Sequence, residues 1–175
     1  MRNLFFIFTL FLIVSCGSKT DKPNHSIIGK EFQKFEHINA LADYTKISDT
    51  SFYDNTFHEP MYGILHLQNQ NHNLLLFKSI ARDSINTITY TVLDTLEIKD
   101  LNTPEVISIG YCEFNEEQNI NLISLVDKTD SLYIQNIKKV WQANTETHKI
   151  EPIIDFTGLN CINESYEVLD HPKLK

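Results

Sequence analysis

From residue 62 onward, apolar residues fall into short runs, or alternate with polar ones, between clusters rich in Asn, Asp, Thr and Glu. Residues 62–67 and 73–80 flank the polar stretch 68–72, which predicts a hairpin. In 86–98, NTITYTVLDTLEI, the series Ile88, Tyr90, Val92 alternates with Thr87, Thr89, Thr91, the period of two expected of a half-buried strand. A second hairpin is predicted from 106–114 and 119–126, turning through NEEQ. A third is predicted from 132–141 and 149–155, turning through ANTETH. Ahead of these, Phe32, Phe35, Ile38 and Leu41 recur in steps of three within 31–44, which predicts one short amphipathic helix, with an irregular strand as the alternative. Residues 48–55 read as a loop.

The expected fold is therefore mainly β, built of antiparallel sheets as a sandwich or a propeller-like fragment, with a single short N-terminal helix. The hairpins also resemble one another. A shift of 47 positions carries Gly63 onto Gly110, Leu65 onto Cys112, Leu67 onto Phe114, Leu75 onto Leu122, Leu76 onto Ile123 and Leu93 onto Val140. It also brings Asp83-Ser84-Ile85 onto Asp130-Ser131-Leu132 without a gap. Either a hairpin unit is duplicated, or two unrelated hairpins share the spacing that any β-hairpin imposes.

The N-terminal region has a different pattern. Arg2 precedes an apolar run over 4–14 that only Thr9 interrupts, and Lys19 and Asp21 soon follow. That run has the length of a secretory signal and falls short of the ~20 residues a membrane-spanning helix needs. Its end, Ile13-Val14-Ser15-Cys16, resembles the lipobox of bacterial lipoproteins. The resemblance implies removal of residues 1–15 and a mature chain that starts at Cys16, with diacylglycerol on the thiol and an acyl chain such as palmitate on the amine. Gly17 stands where an aspartate would retain a lipoprotein at the inner membrane, so the analogy favours the outer membrane, with the domain extracytoplasmic. Residues 16–26 are polar, contain Pro23 and read as a flexible tether. Residues 27–175 are then a single β-rich domain.

Loss of Arg2 takes the formal net charge from −8 to −9. That acidity disfavours nucleic acid and anionic headgroups, leaving a cationic or neutral protein or cell-wall partner beside the lipid anchor. With Cys16 assigned to lipid, Cys112 and Cys161 form an even pair in a compartment that permits oxidation, which favours a disulfide between them over two buried thiols.

Candidate chemistry is sparse. Calcium loops alternate oxygen-bearing side chains, and Asn69, Asn71, Asn73 and then Asn115, Glu117, Asn119 have that spacing. Both sets lack the glycine of a sharp bend, so polar turns explain them better than metal, and Asn115, Glu117 and Asn119 remain weak candidates. FHEPMYG lacks the second histidine of the zinc-protease helix, and Pro60 would break that helix. His66 and His72 would meet across a hairpin but have no third ligand. Glu97, Glu113 and Glu151 would make a glycosidase pair only if folding brought two of them together. Trp141, in KKVWQAN, is expected to be a core anchor beside the Cys112–Cys161 bridge. That segment and GLNCINE together resemble the ends of small uncharacterised bacterial envelope proteins, a likeness that brings no activity with it.

These readings point to a lipid-anchored envelope protein with a non-enzymatic binding domain, needing no cofactor, as an inhibitor or immunity-type protein would be. The alternatives are a carboxylate-based envelope hydrolase and a purely structural component. An exposed aromatic patch on a sheet face would favour binding, whereas a buried pair of acids in a cleft would favour hydrolysis. Because Cys16 carries the only thiol in the lipobox, Cys16→Ala should abolish metabolic labelling by a fatty acid, and equal labelling of wild type and variant would rule out the anchor.

Overall fold

The computed structural model describes residues 27–53, 61–114 and 117–166; Cys16, its tether, Asn115 and the tail from residue 167 lie outside the described residues. The described residues form three antiparallel sheets. The first holds β1 (Glu31–Phe32), β2 (Thr45–Phe52), β3 (Tyr62–Asn69), β4 (His72–Arg82) and β5 (Ile88–Lys99), in the order β1-β5-β4-β3-β2. The second holds β6 (Glu105–Ile109), β9 (Leu122–Asp127), β11 (Ile137–Asn144) and β12 (Lys149–Ile153), in the order β12-β11-β9-β6. The third is made of four short strands, β7 (Cys112–Phe114), β8 (Glu117–Gln118), β10 (Tyr133–Ile134) and β13 (Leu159–Ile162), in the order β10-β13-β7-β8.

The sheets stack because the apolar runs are too dense for one wet face. On β4, Leu74, Leu75, Leu76 and Phe77 are all fully buried. Successive strand residues point to opposite sides, so both sides need a cover. Leu74 and Leu76, with Leu65, Leu67 and Val92, pack against Ile27, Phe32, Phe35, Ile38 and Leu41. Leu75 and Phe77, with Phe52, Ile64 and Ile98, pack against Ile109, Ile123 and Ala143 of the second sheet. The far side of the second sheet, through Leu122 and Val140, packs on Cys112, Leu159 and Cys161 of the third.

The expected N-terminal helix over 31–44 is not formed. That segment makes β1 and two 3₁₀ turns, Phe35–His37 and Asn39–Leu41. Its apolar spacing explains the difference. Steps of three drift around an α-helix but stay on one side of a 3₁₀ turn, which has three residues per turn. Phe32, Phe35, Ile38 and Leu41 accordingly all face the first sheet's core.

Two of the expected long strands are each split between sheets. Residues 106–114 break at Gly110, whose φ of +79° suits glycine, and a Cβ there would press on the Ile120 carbonyl oxygen at 3.2 Å. The chain thereby leaves the second sheet as β6 and enters the third as β7. Residues 132–141 divide in the same way into β10 and β11. Strand β5 stays continuous but carries a bulge: Phe77 pairs with Asp94 and Lys78 with Val92, leaving Leu93 extra. Tyr90 and Val92 therefore pack toward the N-terminal cover, while Leu96 and Ile98 pack toward the second sheet. The 47-residue shift maps most of β4 onto β9 and most of β5 onto β11, but it fails at the glycines. Gly63 lies inside β3, where a Cβ would strike the Thr50 carbonyl oxygen and the Lys78 stem, whereas Gly110 ends β6.

Several polar groups inside the core have partners. His66 lies 3.0 Å from Asn73 Oδ1. Lys78, only 1% exposed, places Nζ 2.6 Å from Asp49 Oδ1 and 4.0 Å from the centre of the Tyr90 ring. Asp94 of β5 accepts the Ile150 backbone N–H at 2.9 Å, tying the first sheet to edge strand β12 of the second. Cys112 and Cys161 stand directly opposite each other on β7 and β13 with their sulfurs bonded at 2.02 Å, as expected.

Two predictions follow from these buried groups. Burial pushes the His66 imidazole below its usual pKa, with the Asn73 bond opposing. Between the folded value and about 6.5 the unfolded chain holds a proton that the folded chain does not, so this stability is complete above that range and is lost as pH falls through it. Urea unfolding below about pH 6.5 should therefore show a stability slope that His66→Gln reduces, by at most ~1.4 kcal/mol per pH unit. An unchanged slope would refute the assignment. Replacing Cys112 and Cys161 together by alanine should cost ~4 kcal/mol of unfolding free energy for a closed loop of this length. A non-reduced digest of the native protein should yield one linked peptide pair, and two alkylatable thiols would contradict it.

Candidate binding surface

Among the described residues, the outer side of the third sheet is covered by no other sheet, and its residues there are open to water. On β13, Leu159 and Cys161 point inward while Asn160 and Ile162 point out. Tyr133 pairs with Ile162 on one side. On the other side the Ile162 N–H donates to the Tyr111 carbonyl at 2.8 Å, one step beyond the Cys161–Cys112 pair. The alternation of the strands thus sets Tyr133, Ile162 and Tyr111 in a row across three strands on the outer side. Their exposures of 52%, 38% and 42% make this an apolar, aromatic strip in water. Two strand spacings, ~9.5 Å, separate the two tyrosine backbones. The next outward row pairs Asn160 with Glu113. The four strands carry Glu113 and Glu117 and contain no lysine or arginine.

At the other end of β13 from Ile162, a groove of about 500 Å³ runs between the third and second sheets. Phe114, Leu122 and Ile153 supply its apolar surface, and Glu117 and Asp155 its carboxylates. Asp155 accepts the Thr157 backbone N–H at 3.0 Å, and hydrogen bonding from Thr157 holds its carboxyl below the usual carboxylate range. Asp155 also borders a second groove of about 470 Å³, whose walls include Tyr133, Ile154 and Phe156. Apolar surface flanked by carboxyl groups suits a side chain with a long aliphatic stem and a cationic head.

The residues singled out from sequence are dispersed. Glu117 and Asn119 both line the larger groove, but the Asn119 amide donates to the Glu117 carbonyl at 2.8 Å and its backbone N–H to the Cys112 carbonyl at 3.1 Å, an ordinary polar turn. Asn115 lies outside the described residues. Among the described residues, no three His, Cys, Asp or Glu side chains gather as a metal site. In the first hairpin Asn73 is buried against His66 and the Ile98 carbonyl rather than presented in a loop. His66 and His72 do not meet, because the register sets His72 opposite Asn69 and His66 opposite Leu75. His72 instead lies 3.3 Å from Glu97.

Glu97, Glu113 and Glu151 fall one to each sheet. Glu97 meets His72 and Lys99, and Glu151 meets Asn144 and Thr147. Trp141 corrects a further expectation. It packs between the first and second sheets, on the side of β11 opposite Val140, and it is Val140 that faces the disulfide cluster. The Tyr133–Ile162–Tyr111 row had no sequence reading of its own, and the alternation in LNCI was its available signal. Comparison with protein-family models, curated proteins and solved structures finds no match.

Proposed function

We propose that this chain is a lipid-anchored protein of the bacterial envelope whose β domain binds a protein or cell-wall partner carrying positive charge, without chemistry of its own. The observation that carries the reading is the exposed Tyr133–Ile162–Tyr111 row on the open side of the third sheet. Aromatic side chains supply large contact areas at low entropic cost and recur as interface anchors. The neighbouring Glu113, Glu117 and Asp155 add a negative field, consistent with a net charge of −8 for the full chain. Such a field speeds encounter with a cationic partner.

A hydrolase is the second reading, because Glu117 and Asp155 share one groove. A general acid needs a carboxyl held protonated near neutral pH, however, and hydrogen bonding moves Asp155 the opposite way.

The test uses the mature protein as bait on native envelopes. Tyr111 and Tyr133 are exposed, so changing both to serine should alter stability by only ~0.5 kcal/mol each while removing most of the captured partner. The on-rate for that partner should fall as salt rises from ~0.01 to ~0.15 M, where the screening length contracts from ~30 to ~8 Å. Capture that is indifferent to both tyrosines and to salt overturns the proposal. So does turnover of wall fragments that Glu117→Gln or Asp155→Asn abolishes in a folded protein.

A further inference from the structure

A third cavity lies between the second and third sheets, on the inner side of the third sheet rather than the outer side that carries the tyrosine row. Strands β6 and β9 pair Val106 with Val126 and Ser108 with Ser124, and these side chains point toward the third sheet. The Ser124 hydroxyl lies against the disulfide, 3.1 Å from Cys112 Sγ. Ser108 is 4% exposed, and its hydroxyl has no hydrogen-bond partner among the described residues. It lines a cavity of about 160 Å³ whose apolar surface comes from Val106, Val126 and, from the third sheet, Ile134, with polar and charged residues of 127–129 and 163–165 around them.

The mouth of this cavity is preformed and carries charges of both signs. The Asn163 side chain donates to the Thr129 and Ser131 carbonyls, and the Lys128 N–H donates to the Pro104 carbonyl, so the loop over the mouth is held at both ends. Lys128 and Glu164 border it with opposite charges. Asp127, also at the mouth, lies 2.7 Å from Lys138 Nζ. Lys138 is shared with Glu105 at 2.9 Å, so the charges around the cavity are of both signs rather than a set of one sign that would select an ion. An apolar protein cavity of ~150 Å³ is large enough to take up benzene. A buried hydroxyl that finds no partner costs free energy, which a ligand able to bond to it would recover.

We infer that this cavity binds a small neutral molecule of about one aromatic ring, carrying a single hydrogen-bonding group that reaches Ser108, as a phenol does. The ring lies against Val106, Val126 and Ile134, and the hydroxyl meets the Ser108 hydroxyl as donor or acceptor. The site is independent of the partner surface on the outer side of the third sheet.

The test titrates the mature protein with phenol and with benzene, following the methyl resonances of Val106, Val126 and Ile134. Phenol should shift them saturably and bind roughly three- to tenfold more tightly than benzene, the worth of one buried hydrogen bond. Ser108→Ala should remove that preference while keeping benzene binding. Val106→Phe, which fills the cavity from its half-exposed rim, should abolish both. If Val106→Phe does not fold, the Ser108→Ala comparison decides alone. Absence of saturable shifts with either probe, as when only water occupies the site, overturns the inference. So does a phenol preference that survives Ser108→Ala, or binding that persists in a folded Val106→Phe.

Discussion

Four consecutive buried residues on β4, Leu74 to Phe77, impose the condition that the rest of the structure meets. A strand with one wet side alternates; this one does not, so both sides of the first sheet must be covered. Full burial is worth ~1.5–3 kcal/mol for each such side chain, which helps offset the entropy of ordering the chain around it. The N-terminal 3₁₀ turns cover one side and the second sheet the other. Strand β9 repeats the condition one layer further on, since Leu122 to Val126 are also buried in succession. The third sheet answers it.

That sequence of layers ends where burial ends. The strands of the third sheet are two to four residues long, too short to hold a sheet together by their own ladder of hydrogen bonds. Two other things hold it. Its inner residues pack on Leu122 and Val140, and the Cys112–Cys161 bond joins its two middle strands. Its outer residues are thereby fixed in position while facing water. Fixed exposed side chains lose little entropy on meeting a partner, and the proposed binding role of this layer rests on that.

Most strands, the hairpins and the pairing of Cys112 with Cys161 were legible in the sequence, because turn residues and a two-residue period are written locally. So was the burial of Phe32, Phe35, Ile38 and Leu41, although the step of three belonged to 3₁₀ turns and not to an α-helix. Strand β2 was not legible, since its residues 48–52 belong to the polar stretch 48–55 that reads as a loop. The side to which a strand turns was less legible. In NTITYTVLDTLEI the even positions look like one continuous stripe, yet the bulge at Leu93 sends Leu96 and Ile98 to the side opposite Tyr90 and Val92. Trp141 was recognisable as a packed residue, but its layer was not.

The sequence by itself determined that this chain forms β-strands and where most of them turn. Tertiary structure decided which strands share a sheet, how Gly110 divides one apolar run between two sheets, and that Tyr133, Ile162 and Tyr111 align on a single open side. The physical reason is range. Periodicity and turn chemistry act over a few residues, whereas wet and dry sides are set by contacts between distant segments, such as Asp94 with the Ile150 N–H and Cys112 with Cys161.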